Sequence, residues 1–289
     1  MKIIVPDLPI QTLYDIAQCL ESIASEEGIE ILLWPTQKKS MIDLFDETRP
    51  DIVFMHESQL DSSFQFVCQN FSFKYILVTD KTIPTHLLQE PSALLMNQSV
   101  SDIVKASNVI PMRPVAQIPA IHNAQYNEQL SCDILINTTN IEIDANLHNL
   151  FHYVINNYNT KIIGDTQVRL HNYIGKVDMV EKADFIKSSR AIIDLNGADY
   201  WNAAYLKTPS ICANVLPDQP FVQFNNEETL AHNLNNILNK DLIRSKYIDT
   251  CYQAVLNNNS SYHLAATLFQ AINEPQLSQQ LLHYFKGLV

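Results

Sequence analysis

The segment Ala183–Asn214, ADFIKSSRAIIDLNGADYWNAAYLKTPSICAN, constrains the fold more than any other stretch of the chain. A helix with a polar face leads into a short apolar strand, Ala191–Leu195, which breaks at Asn196-Gly197. A second helix is expected after Asp199, and a second buried strand, Pro209–Ala213, follows directly. Such a strand–loop–helix–strand unit requires a parallel sheet, because two parallel strands can be joined only through a crossover. Its loop opens at the carboxyl end of a strand, where open α/β sheets place their ligands near helix N-termini.

The first half of the chain repeats the alternation. Strands are expected at Lys2–Val5, Ile29–Trp34, Asp51–Met55 and Tyr75–Val78, with Leu94-Leu95-Met96 as a further strand. Helices are expected between them. Leu13–Ala24 carries Leu13, Ile16, Ala17, Leu20, Ile23 and Ala24 at helical spacing and is closed by Gly28; Ser40–Glu47 has Ser40 as its cap; Leu60–Asn70 and Ser101–Ala106 complete the set. Strands that are apolar throughout are covered on both faces. Pro111, Pro114 and Pro119, followed by the polar stretch Asn123–Gln129, read as an interdomain linker. Beyond it the alternation restarts with strands at Asp133–Ile136 and Lys161–Ile163, an extended piece at Tyr173–Gly175, and helices at Asp144–Tyr158 and Val180–Ser189. Four helices, Glu227–Leu238, Asp241–Leu256, Tyr262–Ile272 and Gln276–Leu288, close the chain. The pattern predicts two Rossmann-like parallel-sheet domains, residues 1–120 and 130–272, facing a cleft, and a helical tail, 273–289.

Composition narrows the function. At 289 residues with 46% apolar side chains there is material for two cores. A formal net charge of −12 supplies no basic footprint for nucleic acid and no attraction to an anionic membrane surface. The five cysteines lack CxxC spacing, which suits reduced thiols in a cytosol. No apolar run reaches membrane-span length, and Met1 leads straight into a strand, so a leaderless, soluble, cytoplasmic protein is expected. G-x-S-x-G and G-x-x-x-x-G-K-[ST] are both absent, which removes the α/β-hydrolase and P-loop readings. His148 and His152 share a helix face, but Asn149 follows His148, so the metalloprotease pattern is not present.

Several pieces of the second half, in order, resemble the carboxyl-terminal domain of GT-B glycosyltransferases, and most of all the group related to spore maturation proteins. They are the strand Cys132–Asn137, Lys161-Ile162-Ile163-Gly164, Tyr173-Ile174-Gly175-Lys176-Val177, the strand end Leu195-Asn196, the turn Lys207-Thr208-Pro209, the helix start Glu227-Glu228-Thr229-Leu230, and the run from Arg244 to Tyr262. The match covers about 140 residues by the order of its parts, and no single part is specific. In the first half it is topological, through Thr79-Asp80 after the fourth strand; Pro6-Asp7-Leu8-Pro9 stands where the family has a glycine-rich loop.

The resemblance implies transfer of a sugar from a nucleotide sugar to an acceptor, with the nucleotide on the second domain, the acceptor on the first and no metal, and it implies that the final helix, 273–289, returns to the first domain. That chemistry needs a base for the acceptor hydroxyl and donors for the leaving diphosphate. His56, Glu57 and Asp80, at strand ends of the first domain, are the candidate bases; each is equally placed to be a cap or turn residue. Thr138, Thr139, Gly164, Asp165, Asn196, Gly197, Tyr200, Trp201 and Asn202 are the candidate donor contacts, with Lys176 as the cation for the diphosphate. A capped turn over a core tryptophan is the alternative for Asn196–Asn202. Asn202 aligns where many of these transferases carry a glutamate, and the usual nearby arginine is missing. A non-catalytic GT-B binding or scaffold protein is therefore the alternative function. A sugar-nucleotide epimerase of related fold is a third, without an evident acid–base set. Possible partners are the nucleotide sugar, an acceptor and a second copy of the chain.

Overall fold

The computed structural model describes residues 1–79, 81, 91–97, 108–166, 170–213, 215 and 218–289. The chain forms two compact units, Met1–Arg113 with Ser261–Val289, and Pro114–Ser260. Each is built on a six-stranded, all-parallel sheet.

In the first unit β1 (Lys2–Pro6), α1 (Gln11–Glu27), β2 (Glu30–Trp34), α2 (Met41–Thr48), β3 (Ile52–His56), α3 (Ser62–Asn70), β4 (Lys74–Thr79), β5 (Ala93–Asn97) and β6 (Val109–Met112) follow in sequence. The strand order is β2-β1-β3-β4-β5-β6, so the direction of winding reverses between β1 and β3. Local signals set the helix ends. Ser40 accepts from the Asp43 N–H at the start of α2, and Gly28, with φ +63°, ends α1 in the left-handed conformation that a side chain resists. On one face of the sheet Ile4, Val53, Met55 and Leu77 are buried with Phe45, Phe64 and Val67 from α2 and α3. Asp80 and the expected helix Ser101–Ala106 lie outside the described residues.

The second unit runs α4 (Ile118–Ile121), β7 (Cys132–Asn137), α5 (Ala145–Asn157), β8 (Thr160–Ile163), β9 (Tyr173–Gly175), α6 (Met179–Ser188), β10 (Ser189–Asp194), α7 (Tyr200–Tyr205), β11 (Ser210–Cys212), β12 (Val222–Gln223), α8 (Glu227–Asn239) and α9 (Asp241–Asn258). Read from its β9 edge the sheet is β9-β8-β7-β10-β11-β12, the 3-2-1-4-5-6 order of dinucleotide-binding folds, with its reversal between β7 and β10. Ile134, Ile136, Ile162, Ile193 and Ile211 are buried beneath Phe151 and Val154 of α5 and Leu230 and Leu234 of α8.

Two expectations change. The proline run is not simply a linker. Pro111 lies in β6, an edge strand, where a missing N–H costs no ladder bond on the open side, and Pro119 lies in the first turn of α4, where an N–H has no helical partner. The return to the first unit also begins earlier than residue 273, with α10 (Ser261–Ala271), before α11 (Pro275–Leu288). The Tyr262 hydroxyl donates to Ser22 Oγ of α1 at 3.0 Å, and Phe285 of α11 stacks on Tyr262 with ring centroids 5.6 Å apart. Helical spacing shows that such a helix has an apolar face but not which sheet that face covers.

Phe285 is buried, so Phe285→Ala should destabilise the protein by about 3–5 kcal/mol and lower its urea midpoint. A midpoint that does not move would show that α11 contributes nothing to the first core.

Candidate functional site

The carboxyl edge of the second sheet is organised by one carboxylate. Asp194, the last residue of β10, is fully buried. Its Oδ1 accepts from the Gly197 N–H at 3.0 Å, and its Oδ2 from the Asp199 and Tyr200 N–H groups at 3.0 and 2.8 Å. Gly197 takes φ +76°, the positive value that lets the loop curl back over the strand end. Asp199 lies beside Asp194, also buried. It pairs with Lys182 Nζ of α6 at 2.8 Å and accepts a hydrogen bond from the Asn137 amide at the end of β7.

These contacts revise the expected ligand loop. Asp199 makes no capping bond to α7; Asp194 takes up the N–H groups that were expected to meet a phosphate. Tyr200 and Trp201 turn inward and pack on Phe221, with ring centroids 4.4 and 4.7 Å apart. Asn202 is buried as well. Its Oδ1 accepts from the Gln117 N–H at 2.9 Å and its Nδ2 donates to Gln117 Oε1 at 3.1 Å, so it holds the segment ahead of α4. The apolar neighbours win because α7 has only six residues and all six are buried.

The other expected donor residues do gather at this edge. Buried Thr138 donates to the Ile163 carbonyl at 3.0 Å, and a Cβ on Gly164 would lie 2.6–2.7 Å from Thr138 and the Thr139 nitrogen, so only glycine fits there. Asp165 Oδ1 accepts from the Asn140 N–H at 2.8 Å, and Asn196 Nδ2 donates to the Thr139 carbonyl at 2.9 Å. Thr139, Asp165, Asn196 and Gly197 remain partly or fully exposed, and Lys176 is exposed just past β9. On the same edge a cavity of about 640 Å³ opens between the first turns of α5 and α8. Leu147, Leu150 and Phe224 line it together with Asn146, Asn149, Asn226 and Glu227. Apolar walls with a few convergent polar groups are what small-molecule sites are made of.

In the first unit His56 and Glu57 sit at the carboxyl end of β3, beside the β1/β3 reversal. The Ser58 N–H donates to His56 Nδ1 at 3.3 Å, which leaves the ring proton on Nε2, 3.5 Å from Glu57 Oε2. Lys81 Nζ lies 3.3 Å from Glu57 Oε1. Both Glu57 oxygens are shielded from solvent, and neither has a hydrogen-bond partner among the described residues. His56 therefore does act as a cap, and it also faces a buried carboxylate.

Asp194, Lys182, Asn137 and Gln117 were not expected as site residues. The available signal was an aspartate inside the apolar run Ala-Ile-Ile-Asp-Leu, where a charge needs a buried partner.

No family model matches the chain, and no curated protein sequence matches it. Solved structures do. A glycosyltransferase from Rickettsia africae superposes with TM-score 0.63 at 12% identity over 95% of this chain and 98% of its own. The fold is that of the GT-B proteins. A UDP-N-acetylglucosamine 2-epimerase, itself named putative, from Listeria monocytogenes gives TM-score 0.60 at 9% identity over 94% and 97% of the two chains. Anabaena HepE, solved in complex with UDP and glucose, gives TM-score 0.58 at 9% identity over 99% and 100%. The GT-B fold thus links this chain to both transferases and epimerases. Among the described residues no helix is long and apolar enough to cross a membrane.

The Asp194 carboxyl is pushed up to about 6, first by burial and then by the neighbouring Asp199, against the three N–H groups that lower it. Its unfolded value is about 3.9, so its stabilising contribution is complete below that pH and is lost as pH rises through the folded value. Between pH of about 4 and about 6.5 the native protein should lose up to about 3 kcal/mol more unfolding free energy than Asp194→Asn. Urea unfolding across that range measures the difference, and parallel pH profiles would show that Asp194 is ionised throughout.

Proposed function

We propose that the chain is a glycosyltransferase of the GT-B type, nearest to the spore-maturation-protein-like group, that moves a sugar from a nucleotide sugar to an acceptor hydroxyl without a metal. The observation that carries the reading is the Glu57 carboxylate at a sheet reversal, its oxygens shielded from solvent, without a hydrogen-bond partner among the described residues, and ion-paired with His56 and Lys81. On this reading Glu57 is the base that takes a proton from an acceptor hydroxyl brought within hydrogen-bond reach of it. The freed oxygen attacks the anomeric carbon, the bond from that carbon to the diphosphate breaks, and the nucleotide leaves with the electron pair. Asp80 remains a further candidate base at the neighbouring strand end.

The donor belongs on the second unit. The cavity of about 640 Å³ suits a nucleotide sugar, and half-buried Thr139 and Asn196 with exposed Lys176, on the same sheet edge but outside the cavity lining, are the polar groups proposed to meet its diphosphate. UDP is the first nucleotide to test, because HepE was solved with it. A cytoplasmic location and a possible homo-oligomer complete the proposal.

A second reading, a GT-B protein that binds without turnover, is favoured by two specific observations. Asp194 occupies N–H groups at the start of α7, and Asn202 is engaged with Gln117. Calorimetry with UDP, GDP and CDP sugars separates the outcomes. Binding with turnover that falls about 100-fold or more in Glu57→Gln, at unchanged donor affinity, is expected of the transferase. Binding with no turnover on any acceptor supports the second reading, and no binding at millimolar concentration overturns both.

A further inference from the structure

The first unit holds a smaller cavity, of about 310 Å³, whose chemistry bears on the unknown acceptor. It lies where β1 and β2 end: Asp7 and Pro9 come from the loop after β1, Pro35, Gln37 and Lys38 from the loop after β2, and Tyr14 from the first turns of α1. β1 pairs with both β2 and β3, so the β1 side of this cavity is one strand spacing, about 4.8 Å, from the strand that carries His56, and its β2 side is two.

Tyr14 is 40% exposed and lies on the outer face of α1, with Gln11, Gln18 and Glu21. Its hydroxyl donates to Asp7 Oδ1 at 3.1 Å, which fixes the ring. Asp7, Lys38 and Gln37, which line the same cavity, bring one carboxylate, one ammonium and one amide. The two opposite charges cancel, so the set has no net charge to favour an ionic ligand, while it offers both donors and acceptors. Pro9 and Pro35 stiffen the two loops, and the Lys38 N–H bonds the Pro35 carbonyl at 2.8 Å, so the walls are formed in advance. An exposed aromatic face beside donor and acceptor groups complements a molecule with an apolar ring face and a rim of hydroxyls.

We infer that this cavity binds a saccharide, stacked on Tyr14 with its hydroxyls on Asp7 and Gln37, and that the acceptor of the proposed transfer is therefore a sugar. The inference names the substrate of the proposed transferase and rests on that reading for its role as acceptor site, but the binding itself can be measured without turnover.

The full chain is mixed with methyl glycosides of hexoses and N-acetylhexosamines, and saturation-transfer NMR reports which protons touch the protein. At least one glycoside should bind through its ring protons, Tyr14→Ala should weaken it about tenfold or more, and Tyr14→Phe should keep most of the affinity. Circular dichroism shows whether each variant is folded; Asp7→Asn, on an exposed loop, provides a second readout. Glycosides that fail to bind, or that bind equally well to folded Tyr14→Ala and Asp7→Asn, overturn the inference, as does a free nucleoside that takes this cavity in their place. Nucleotide-sugar binding measured in parallel keeps the two readings apart. A donor bound without any glycoside sinks the saccharide site alone, whereas a glycoside bound at Tyr14 without any donor upholds the site and sinks the transferase.

Discussion

Three backbone N–H groups converge on the buried carboxylate of Asp194, and the carboxyl edge of the second sheet is arranged around that convergence. A charge with no exposure must be matched by donors or opposite charge. The loop after β10 supplies the donors by curling back through Gly197, and Lys182 supplies the charge through Asp199. Once the loop is so bound, α7 is drawn against the sheet, and Tyr200, Trp201 and Asn202 have only the interior to occupy. The aromatic packing on Phe221 and the Asn202–Gln117 pair follow from that placement.

This arrangement separates the fold from one of its common uses. The start of α7 borders the reversal between β7 and β10, the crevice in which open α/β sheets place their ligands. Here an internal anion holds that position. Ligand-sized space lies instead between α5 and α8, over Leu147, Leu150 and Phe224. In the first unit the balance is reversed: Glu57 is shielded from solvent without a hydrogen-bond partner among the described residues, and only ion pairs reach it. A fold holds a group in such a state only where the surrounding structure fixes it, and reactive groups are commonly held in this way.

Much of this was legible in the chain, element by element. Gly28 and Ser40 marked the ends of α1 and α2, and the apolar runs around Val53, Ile134 and Ile193 marked central parallel strands. The gathering of Thr138, Gly164, Asp165 and Asn196 at one edge also followed, because strand ends of one parallel sheet share a side. β6 was hidden by Pro111, since a proline in a strand is acceptable only at an edge and strand order is not local information. The direction of the Tyr200–Asn202 side chains was hidden for a similar reason: a polar-aromatic run after a glycine looks the same whether a ligand or Phe221 faces it.

The sequence by itself determined that this is a chain of two parallel α/β units, because apolar strands, helical spacing and turn residues are local properties read over a few residues. It also determined where each sheet presents its loops. Tertiary structure alone decided that α10 joins α11 on the first unit, that Asp194 rather than a ligand takes up the N–H groups at the start of α7, and that Tyr14 and Asp7 meet beside Pro35. Those outcomes depend on which distant groups come within about 3 Å, and sequence neighbours carry no record of that.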